Sequence, residues 1–209
     1  MDKRIPSGDG VDLLFIGSSR FAFVSQYIKY RHGIIIEAIP EEFEYMEANV
    51  KNCNAMHKTN FIPLNELITD KAGQSYQFNI ILNKKDSHAG SSSIYELQAW
   101  KYMLEKTNSI DLTSTTIEKI LDTSKWQDRL LDVVLDVQGA ELLALKGFGE
   151  YINNVKRLVV EASVKEFYKG GCLANELNAF LLNNNFSKVH EDKYFKKNGH
   201  GDICYINNE

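Results

Sequence analysis

The sequence predicts an α/β fold in which a mostly parallel sheet is covered by helices on both faces. Over residues 11–67, short apolar runs alternate with helical patterns, an order typical of the first half of a doubly wound sheet. Residues 131–147, LDVVLDVQGAELLALKG, add a buried strand, a tight turn and an immediate helix. Two short apolar segments near the C-terminus predict a final antiparallel hairpin.

The first half of the chain has the clearest periodicity. Pro40 and the acids Glu41 and Glu42 suit the first turn of a helix. The first five elements are predicted as strand, helix, strand, helix and strand at residues 11–16, 21–30, 34–37, 41–52 and 60–67.

The second half contains less regular patterns around the central strand–turn–helix unit. The pattern of residues 95–106 predicts a helical or irregular stretch. Residues 110–116, which are rich in β-branched side chains, are not assigned. Helices are predicted at residues 117–121 and 174–183, and strands at residues 74–82, 133–135, 155–161, 186–189 and 203–206.

Composition and charge restrict the class of protein. The chain has 209 residues, 44% of them hydrophobic, which suits one domain over residues 1–209 with residues 1–10 flexible. A net charge of −4 does not favour binding to nucleic acid or to an anionic membrane. The three cysteines are far apart in the sequence and indicate a reducing, cytoplasmic location. The oligomeric state stays open, with a homo-oligomer among the options.

The first two strand ends predict a site for a ribose-containing cofactor. Glu37 lies 20 residues beyond Gly17, the spacing at which an acid accepts hydrogen bonds from ribose, with Gly17 and Ser18 forming the cofactor turn. A single glycine in this turn is too few for a dinucleotide, which disfavours a nicotinamide-dependent dehydrogenase. S-adenosylmethionine contains ribose without phosphates and relaxes that requirement. Alternatively, Glu37 stabilises the next helix N-terminus. Asn65, at the third strand end, is a candidate adenine or ribose contact or a turn former.

Acids after later strands predict the reacting centre. Asp136 is expected near the cofactor and the acceptor, and Glu141 and Glu161 are expected to join it in an acidic cluster that supplies a general base. Asp136 and Glu141 also fit a purely structural role at the start of a helix. His88 and His200, in polar glycine-flanked loops, are further candidates for the base. The same cluster has the oxygen ligands for a divalent cation as an alternative, but no motif requires a metal, so no metal ligand is predicted.

Several segments together resemble the FkbM family of methyltransferases over about residues 13–207. The most specific is LDVQGAELLALKG, followed by LVVEAS, a loop containing Tyr168, and GHGDICYIN. GIIIEAIPEEFEYMEANV, LNELITDKAGQSYQF and SHAGSSSI resemble further segments of that family in the same order. The resemblance implies a Rossmann-like class I methyltransferase fold and methyl transfer from S-adenosylmethionine, usually to a hydroxyl of a sugar or natural product. It also adds Tyr168 and Asp202 as candidate site residues.

One motif departs from the family pattern of acid-x-Gly-Ala-x-x-Gly. Phe15 stands at the position of the acid, and Phe21 stands at the position of the last glycine. Two hypotheses follow. The protein is an S-adenosylmethionine-dependent O-methyltransferase acting on a small hydroxylated, sugar-like acceptor, or it is a methyltransferase-like binding module whose cofactor site has degenerated.

Overall fold

The computed structural model describes residues 10–22, 26–85, 87–99 and 103–208. Its strands are β1 Asp12–Ile16, β2 His32–Glu37, β3 Asn60–Asn65, β4 Leu67–Ile68, β5 Ser75–Asn83, β6 Glu96–Leu97, β7 Leu104–Thr115, β8 Leu131–Leu135, β9 Val155–Ser163, β10 Tyr168–Lys169, β11 Phe186–Glu191 and β12 His200–Asn207. Its α-helices are α1 Pro40–His57, α2 Ile117–Ser124, α3 Glu141–Lys146, α4 Ala174–Asn183 and α5 Lys193–Asn198, and a 3₁₀ helix covers Gly149–Asn154. Within these described ranges, no helix combines the length and the apolar character needed to span a bilayer.

The central sheet has seven strands in the order β3-β2-β1-β8-β9-β12-β11. The five strands from β3 to β9 are parallel, whereas β12 is antiparallel to β9 and β11 is antiparallel to β12. The carboxyl ends of the parallel strands therefore meet at one edge, where a ligand site is expected in an open α/β sheet. This arrangement confirms the predicted fold class, including the C-terminal antiparallel pair.

The core lies on both faces of this sheet, because consecutive residues of a strand point to opposite sides. Leu14 packs in the cluster that contains the apolar faces of α2, α3 and α4. Leu13 packs in a second cluster with Met46 and Val50 of α1. Both leucines are completely buried, which explains why the central strands are continuous apolar runs rather than alternating ones.

A small sheet in the order β4-β7-β5 covers part of the carboxyl edge. Ile39, just after β2, packs with Leu67 of β4 and Phe78 of β5. The prediction of a helical or irregular stretch at residues 95–106 was wrong where those residues are described, since they contain β6 and the start of β7. β7 pairs with β5 from Ser75–Thr113 to Asn83–Leu104, and this tertiary pairing overrides the local pattern. Residues 100–102 lie outside the described residues.

The helix predicted over residues 21–30 is not an α-helix in its described part. Phe21 has a φ of +50°, which a right-handed helix does not allow. The amide of Tyr30 bonds to the carbonyl of Tyr27 at 2.9 Å, as in a turn. Residues 23–25, which include Val24, lie outside the described residues.

The last two strands are longer than predicted and are joined by α5 rather than by a loop. Asp192 caps α5, because its carboxylate accepts a hydrogen bond from the amide of Phe195 at 2.7 Å. β12 begins at His200, before the predicted strand, and His200 pairs with Ser163. This pairing brings His200 and Asp202 alongside the end of β9.

The turns after β1 and β8 touch each other through their backbones. Gly17 has a φ of +78°, and a Cβ atom added to it would lie 1.8 Å from the carbonyl oxygen of Asp136. The amide of Asp136 in turn donates to the carbonyl of Ile16 at 3.0 Å. Only glycine fits this contact, which fixes the position of both turns.

We expect Gly17→Ala to lower the free energy of unfolding by about 3 kcal/mol or more. Alanine is strained in a left-handed backbone, and its Cβ atom would overlap the carbonyl of Asp136. Gly73→Ala is the matched control, because Gly73 has the same φ of +78° and nothing within 4 Å of the added Cβ atom. The control should lose only about 1–2 kcal/mol. Chemical denaturation measures both variants, and equal losses would contradict the proposed contact.

Candidate active site

A first cleft lies at the carboxyl edge of the sheet and has an empty volume of about 580 Å³. Most of its wall is apolar, and Glu37 and Asp136 contribute carboxylates to it. The residues that border the first cleft are Ile16, Gly17, Ser19, Ile36, Glu37, Ala38, Ile39, Glu66, Leu67, Ile68, Phe78, Ala89, Gly90, Ser92, Ile94, Asp136, Val137, Gln138 and Ala140. A mostly apolar recess with a few polar groups is the usual form of a small-molecule site.

Glu37 ends β2 and is buried with only backbone donors around its carboxylate. The amide of Ser19 donates to its Oε2 at 2.8 Å, and the amide of Ile39 donates to its Oε1 at 2.9 Å. Burial raises the pKa of Glu37 to about 7, although these two hydrogen bonds oppose the rise. A carboxylate has about four acceptor positions, so Glu37 can still accept hydrogen bonds from a ligand in the first cleft.

The turn after β1 uses most of its own backbone donors within the fold. The amides of Gly17 and Ser18 both donate to the carbonyl of Ile36 at 3.0 Å. Gly17 and Ser19 border the first cleft, whereas Ser18 is 7% exposed and its hydroxyl bonds to the Ser19 carbonyl. Ser19 therefore lies closer to a bound ligand than the predicted Ser18.

His88 lies against this turn. Its Nε2 atom is 2.7 Å from the Ser19 hydroxyl and 3.7 Å from the carboxylate of Glu42. Arg20 pairs with the same carboxylate through two hydrogen bonds of 2.7 and 2.9 Å. The structure thus places His88 beside the turn after β1, where it links that turn to the loop after β5.

Asn65 occupies the end of β3 and supports the backbone of β2. Its amide group donates to the carbonyls of Glu37 at 2.8 Å and Ala38 at 3.0 Å. These contacts match the turn-forming alternative for Asn65. Its neighbour Glu66 borders the first cleft instead.

Asp136 and Glu161 form the acidic centre, and the side chain of Gln138 joins them. Nε2 of Gln138 donates to Oδ1 of Asp136 and to Oε2 of Glu161 at 2.7 Å. Burial and the neighbouring Glu161 raise the pKa of Asp136 well above its usual value. Burial, with the charges of Glu141 and Asp202, raises the pKa of Glu161 to about 8.

Glu141 lies next to this centre but holds its own turn. Its Oε1 accepts from the amides of Val137 and Gly139 at 3.1 Å, and its Oε2 accepts from Gly139 at 3.0 Å and from the Cys172 thiol at 3.2 Å. Burial raises the pKa of Glu141. Glu141 therefore shapes the loop that carries Asp136 and Gln138, which agrees with the structural role considered for it.

The sequence did not identify Gln138, because a glutamine before a glycine suggested only a turn. The signal that could have identified it is its position between two predicted functional acids in a strand–turn–helix unit. Gln138 is 9% exposed and has a φ of +55°. For a side chain other than glycine this left-handed backbone is strained by about 1–3 kcal/mol, and such strain clusters at functional sites.

A second cleft of about 320 Å³ lies on the other side of the acidic centre. It is bordered by Gly139, Glu141, Glu161, Ala162, Ser163, Lys165, Phe167, Tyr168, Gly171, Cys172 and His200. His200 lies 3.4 Å from Glu161, and its ring is 4.6 Å from that of Phe167 between centroids. Burial lowers the pKa of His200, so its imidazole is neutral near pH 7.

Oxygen atoms of Asp136, Glu141 and Glu161 lie within 4.8 Å of one another, which is close enough to hold a divalent cation. Neutral donors already bind these oxygens: the Gln138 amide joins Asp136 and Glu161, and backbone amides bind Glu141. Because protein donors already bind one oxygen of Asp136, one of Glu161 and both of Glu141, we assign no metal ligands here.

Comparison with known proteins decides the family. The model of the methyltransferase FkbM domain matches residues 10–188. The chain belongs to the FkbM methyltransferase family. The matched region includes both clefts except for His200, and it contains Glu37, Asp136, Gln138 and Glu161. No curated protein matches the chain in sequence.

Solved structures agree with this fold. The FkbM methyltransferase from Methylobacillus flagellatus has a TM-score of 0.57 and 11% identity, over 98% of this chain and 45% of that chain. TrmK from M. capricolum, in complex with S-adenosyl-homocysteine, has a TM-score of 0.45 and 11% identity, over 97% of this chain and 65% of that chain. The FkbM domain described here thus spans less than half the length of the Methylobacillus protein. At such identities, the first similarity establishes the Rossmann-like fold alone.

The raised pKa of Glu37 predicts a pH dependence of stability in this FkbM domain. At a pH between the usual pKa of 4.5 and the raised pKa of about 7, the folded chain retains a proton on Glu37 that the unfolded chain releases. Stability therefore falls as the pH rises through this window. The side chain in Glu37→Gln does not ionise. The free energy of unfolding of this variant minus that of the wild type should therefore rise by up to about 3 kcal/mol between pH 4.5 and pH 8.

Urea denaturation at several pH values measures this difference. Glu44→Gln is the matched control, since Glu44 is an exposed acid on α1, and its difference from wild type should stay nearly constant. If the difference between Glu37→Gln and the wild type is also constant with pH, the raised pKa of Glu37 is contradicted.

Proposed function

We propose that this protein transfers a methyl group from S-adenosylmethionine to a hydroxyl group of a small, sugar-like acceptor. Membership of the FkbM methyltransferase family supports the reaction class. The observation that carries the proposal is the buried carboxylate of Glu37 at the carboxyl end of β2, facing an apolar cleft of about 580 Å³. Such an acid in such a position accepts hydrogen bonds from ribose.

The residues of the first cleft fit this cofactor. Glu37 would hold the ribose hydroxyls, and the apolar side chains of Ile39, Leu67 and Phe78 would face the adenine. Gly17 keeps the wall of the cleft free of a side chain, since an added Cβ would strike Asp136. The cleft needs no phosphate-binding loop, because S-adenosylmethionine contains no phosphate.

The acidic centre fits the methyl-transfer step. When bound, the cofactor supplies an electrophilic methyl group on a positively charged sulfur. Asp136 borders the first cleft and its carboxylate favours a nearby positive charge. Glu161 borders the second cleft, which would hold the acceptor next to this centre.

Glu161 is the proposed proton acceptor. As the acceptor oxygen forms its bond to the methyl carbon, the carbon–sulfur bond breaks, and the electron pair of that bond stays on the sulfur. The proton of the hydroxyl passes to Oε1 or Oε2 of Glu161. A carboxylate whose pKa is about 8 is a stronger base than an ordinary glutamate and suits proton removal near neutral pH.

The other predicted catalytic residues take supporting roles in this proposal. His200 and Phe167 form a wall of the second cleft against which the acceptor packs. Glu141 holds the loop between the clefts. His88 steadies the turn after β1 through Ser19, so it acts on the cofactor side rather than as the base.

Calorimetric titration with S-adenosylmethionine and S-adenosylhomocysteine tests the cofactor assignment. Glu37→Ala should weaken binding by about 10-fold to 100-fold, because hydrogen bonds to a charged group contribute about 1.5–3 kcal/mol. Glu44→Ala removes the same charge from an exposed position on α1 and should leave the affinity unchanged.

Absence of binding at millimolar cofactor would overturn the proposal. It would favour the alternative of a methyltransferase-like binding module that has lost its cofactor. Equal weakening by Glu37→Ala and Glu44→Ala would show that the cofactor does not contact Glu37.

A further inference from the structure

The side chain of Gln138 connects residues of the two clefts. Gln138 and Asp136 border the first cleft, whereas Glu161 borders the second. The two hydrogen bonds from Nε2 of Gln138 therefore join a carboxylate of one cleft to a carboxylate of the other. An acceptor and a cofactor that react must come together beside this amide.

Gln138 accepts hydrogen bonds from two hydroxyl groups. Its Oε1 accepts a hydrogen bond from the Tyr168 hydroxyl at 2.6 Å, and that hydroxyl also lies 2.8 Å from the carbonyl of Ser91. The backbone carbonyl of Gln138 accepts from the hydroxyl of Ser93 at 2.7 Å. With Oε1 directed at the Tyr168 hydroxyl, the NH₂ group faces Asp136 and Glu161.

We propose that Gln138 is a positioning residue that favours the ionised forms of Asp136 and Glu161 and holds them at a fixed separation, so that Glu161 can receive the acceptor proton. An NH₂ group has two N–H donors, one for each carboxylate. It adds no positive charge, so it favours the ionised acids without repelling a sulfonium. A lysine at this position would repel the sulfonium. The proposal rests on the proposed function and assigns the proton transfer to one named carboxylate.

Other groups around Glu161 would otherwise favour its protonated form. Burial is the largest effect that raises the pKa of Glu161, and the charges of Glu141 and Asp202 add to it, whereas a hydrogen bond with Asp136 lowers it. The Gln138 hydrogen bond acts in the opposite direction on both Asp136 and Glu161. The titratable and charged groups that face this centre are Asp136 of the turn after β8, Glu141 of α3, Lys165 after β9, Tyr168 of β10, Cys172 before α4, and His200 and Asp202 of β12.

Carboxyl-carbon NMR of the isolated protein tests the proposal without an acceptor. In the wild type, the Glu161 signal, assigned by its loss in Glu161→Gln, should titrate near pH 8. Gln138→Asn is the main variant, because asparagine accepts the left-handed backbone but is one methylene too short to reach both carboxylates. We expect the Glu161 midpoint to rise by about one pH unit or more in Gln138→Asn, since hydrogen bonds to charged groups are strong.

Gln138→Glu is the second variant and keeps the length of the side chain. A fourth carboxyl in the centre should also move the Glu161 midpoint upward, because like charges favour protonation. An unchanged Glu161 midpoint in either variant would overturn the proposal and leave Gln138 as a structural turn residue.

A parallel titration with S-adenosylhomocysteine separates the two proposals. Binding of S-adenosylhomocysteine to the wild type, together with a shifted Glu161 midpoint in Gln138→Asn, supports both. Failure of the wild type to bind S-adenosylhomocysteine overturns the proposed function. The Glu161 titration then still decides whether Gln138 favours the ionised acids.

Discussion

Backbone contacts between the turns at the carboxyl edge determine where every site residue lies. The amides of Gly17 and Ser18 bond to the end of β2 through the carbonyl of Ile36, and the amide of Asp136 bonds to the end of β1 through the carbonyl of Ile16. A Cβ atom at position 17 would overlap the carbonyl of Asp136. These contacts set the separation of the β1, β2 and β8 ends, and so Glu37 and Asp136 border the same cleft.

This edge also contains unfavourable backbone conformations that packing offsets. Phe21 stands where the family motif has a glycine and has a φ of +50°, which costs about 1–2 kcal/mol for an ordinary side chain. Its ring is 2% exposed and lies 5.9 Å from Phe15, 5.6 Å from Tyr27 and 6.1 Å from Phe61 between centroids. Burial of such a ring contributes about 1.5–3 kcal/mol. The turn therefore keeps the conformation of a glycine turn while aromatic packing stabilises it.

The parallel strands and their terminal acids could be predicted from the sequence, because both depend on local signals. Apolar runs that end at Glu37 and Asp136 are sufficient to place these acids at the carboxyl edge of the sheet. β7 was not predicted as a strand, since it depends on pairing with β5, which lies more than 20 residues earlier in the chain. The role of Gln138 could not be predicted, because it depends on Glu161 and Tyr168, which the chain brings together only through the pairing of β8 with β9 and of β10 with β6.

The site stabilises its carboxylates with neutral donors, and this choice has an electrostatic consequence. Backbone amides bind Glu37 and Glu141, and the Gln138 side chain binds Asp136 and Glu161. Neutral donors favour the ionised form but leave the negative charge in place. By contrast, Glu42 on the nearby helix α1 is paired with a guanidinium, and its charge is cancelled. Each of these acids therefore keeps its full negative charge when it ionises, and in the proposed reaction that charge favours the cationic sulfonium over the neutral thioether that remains after methyl transfer.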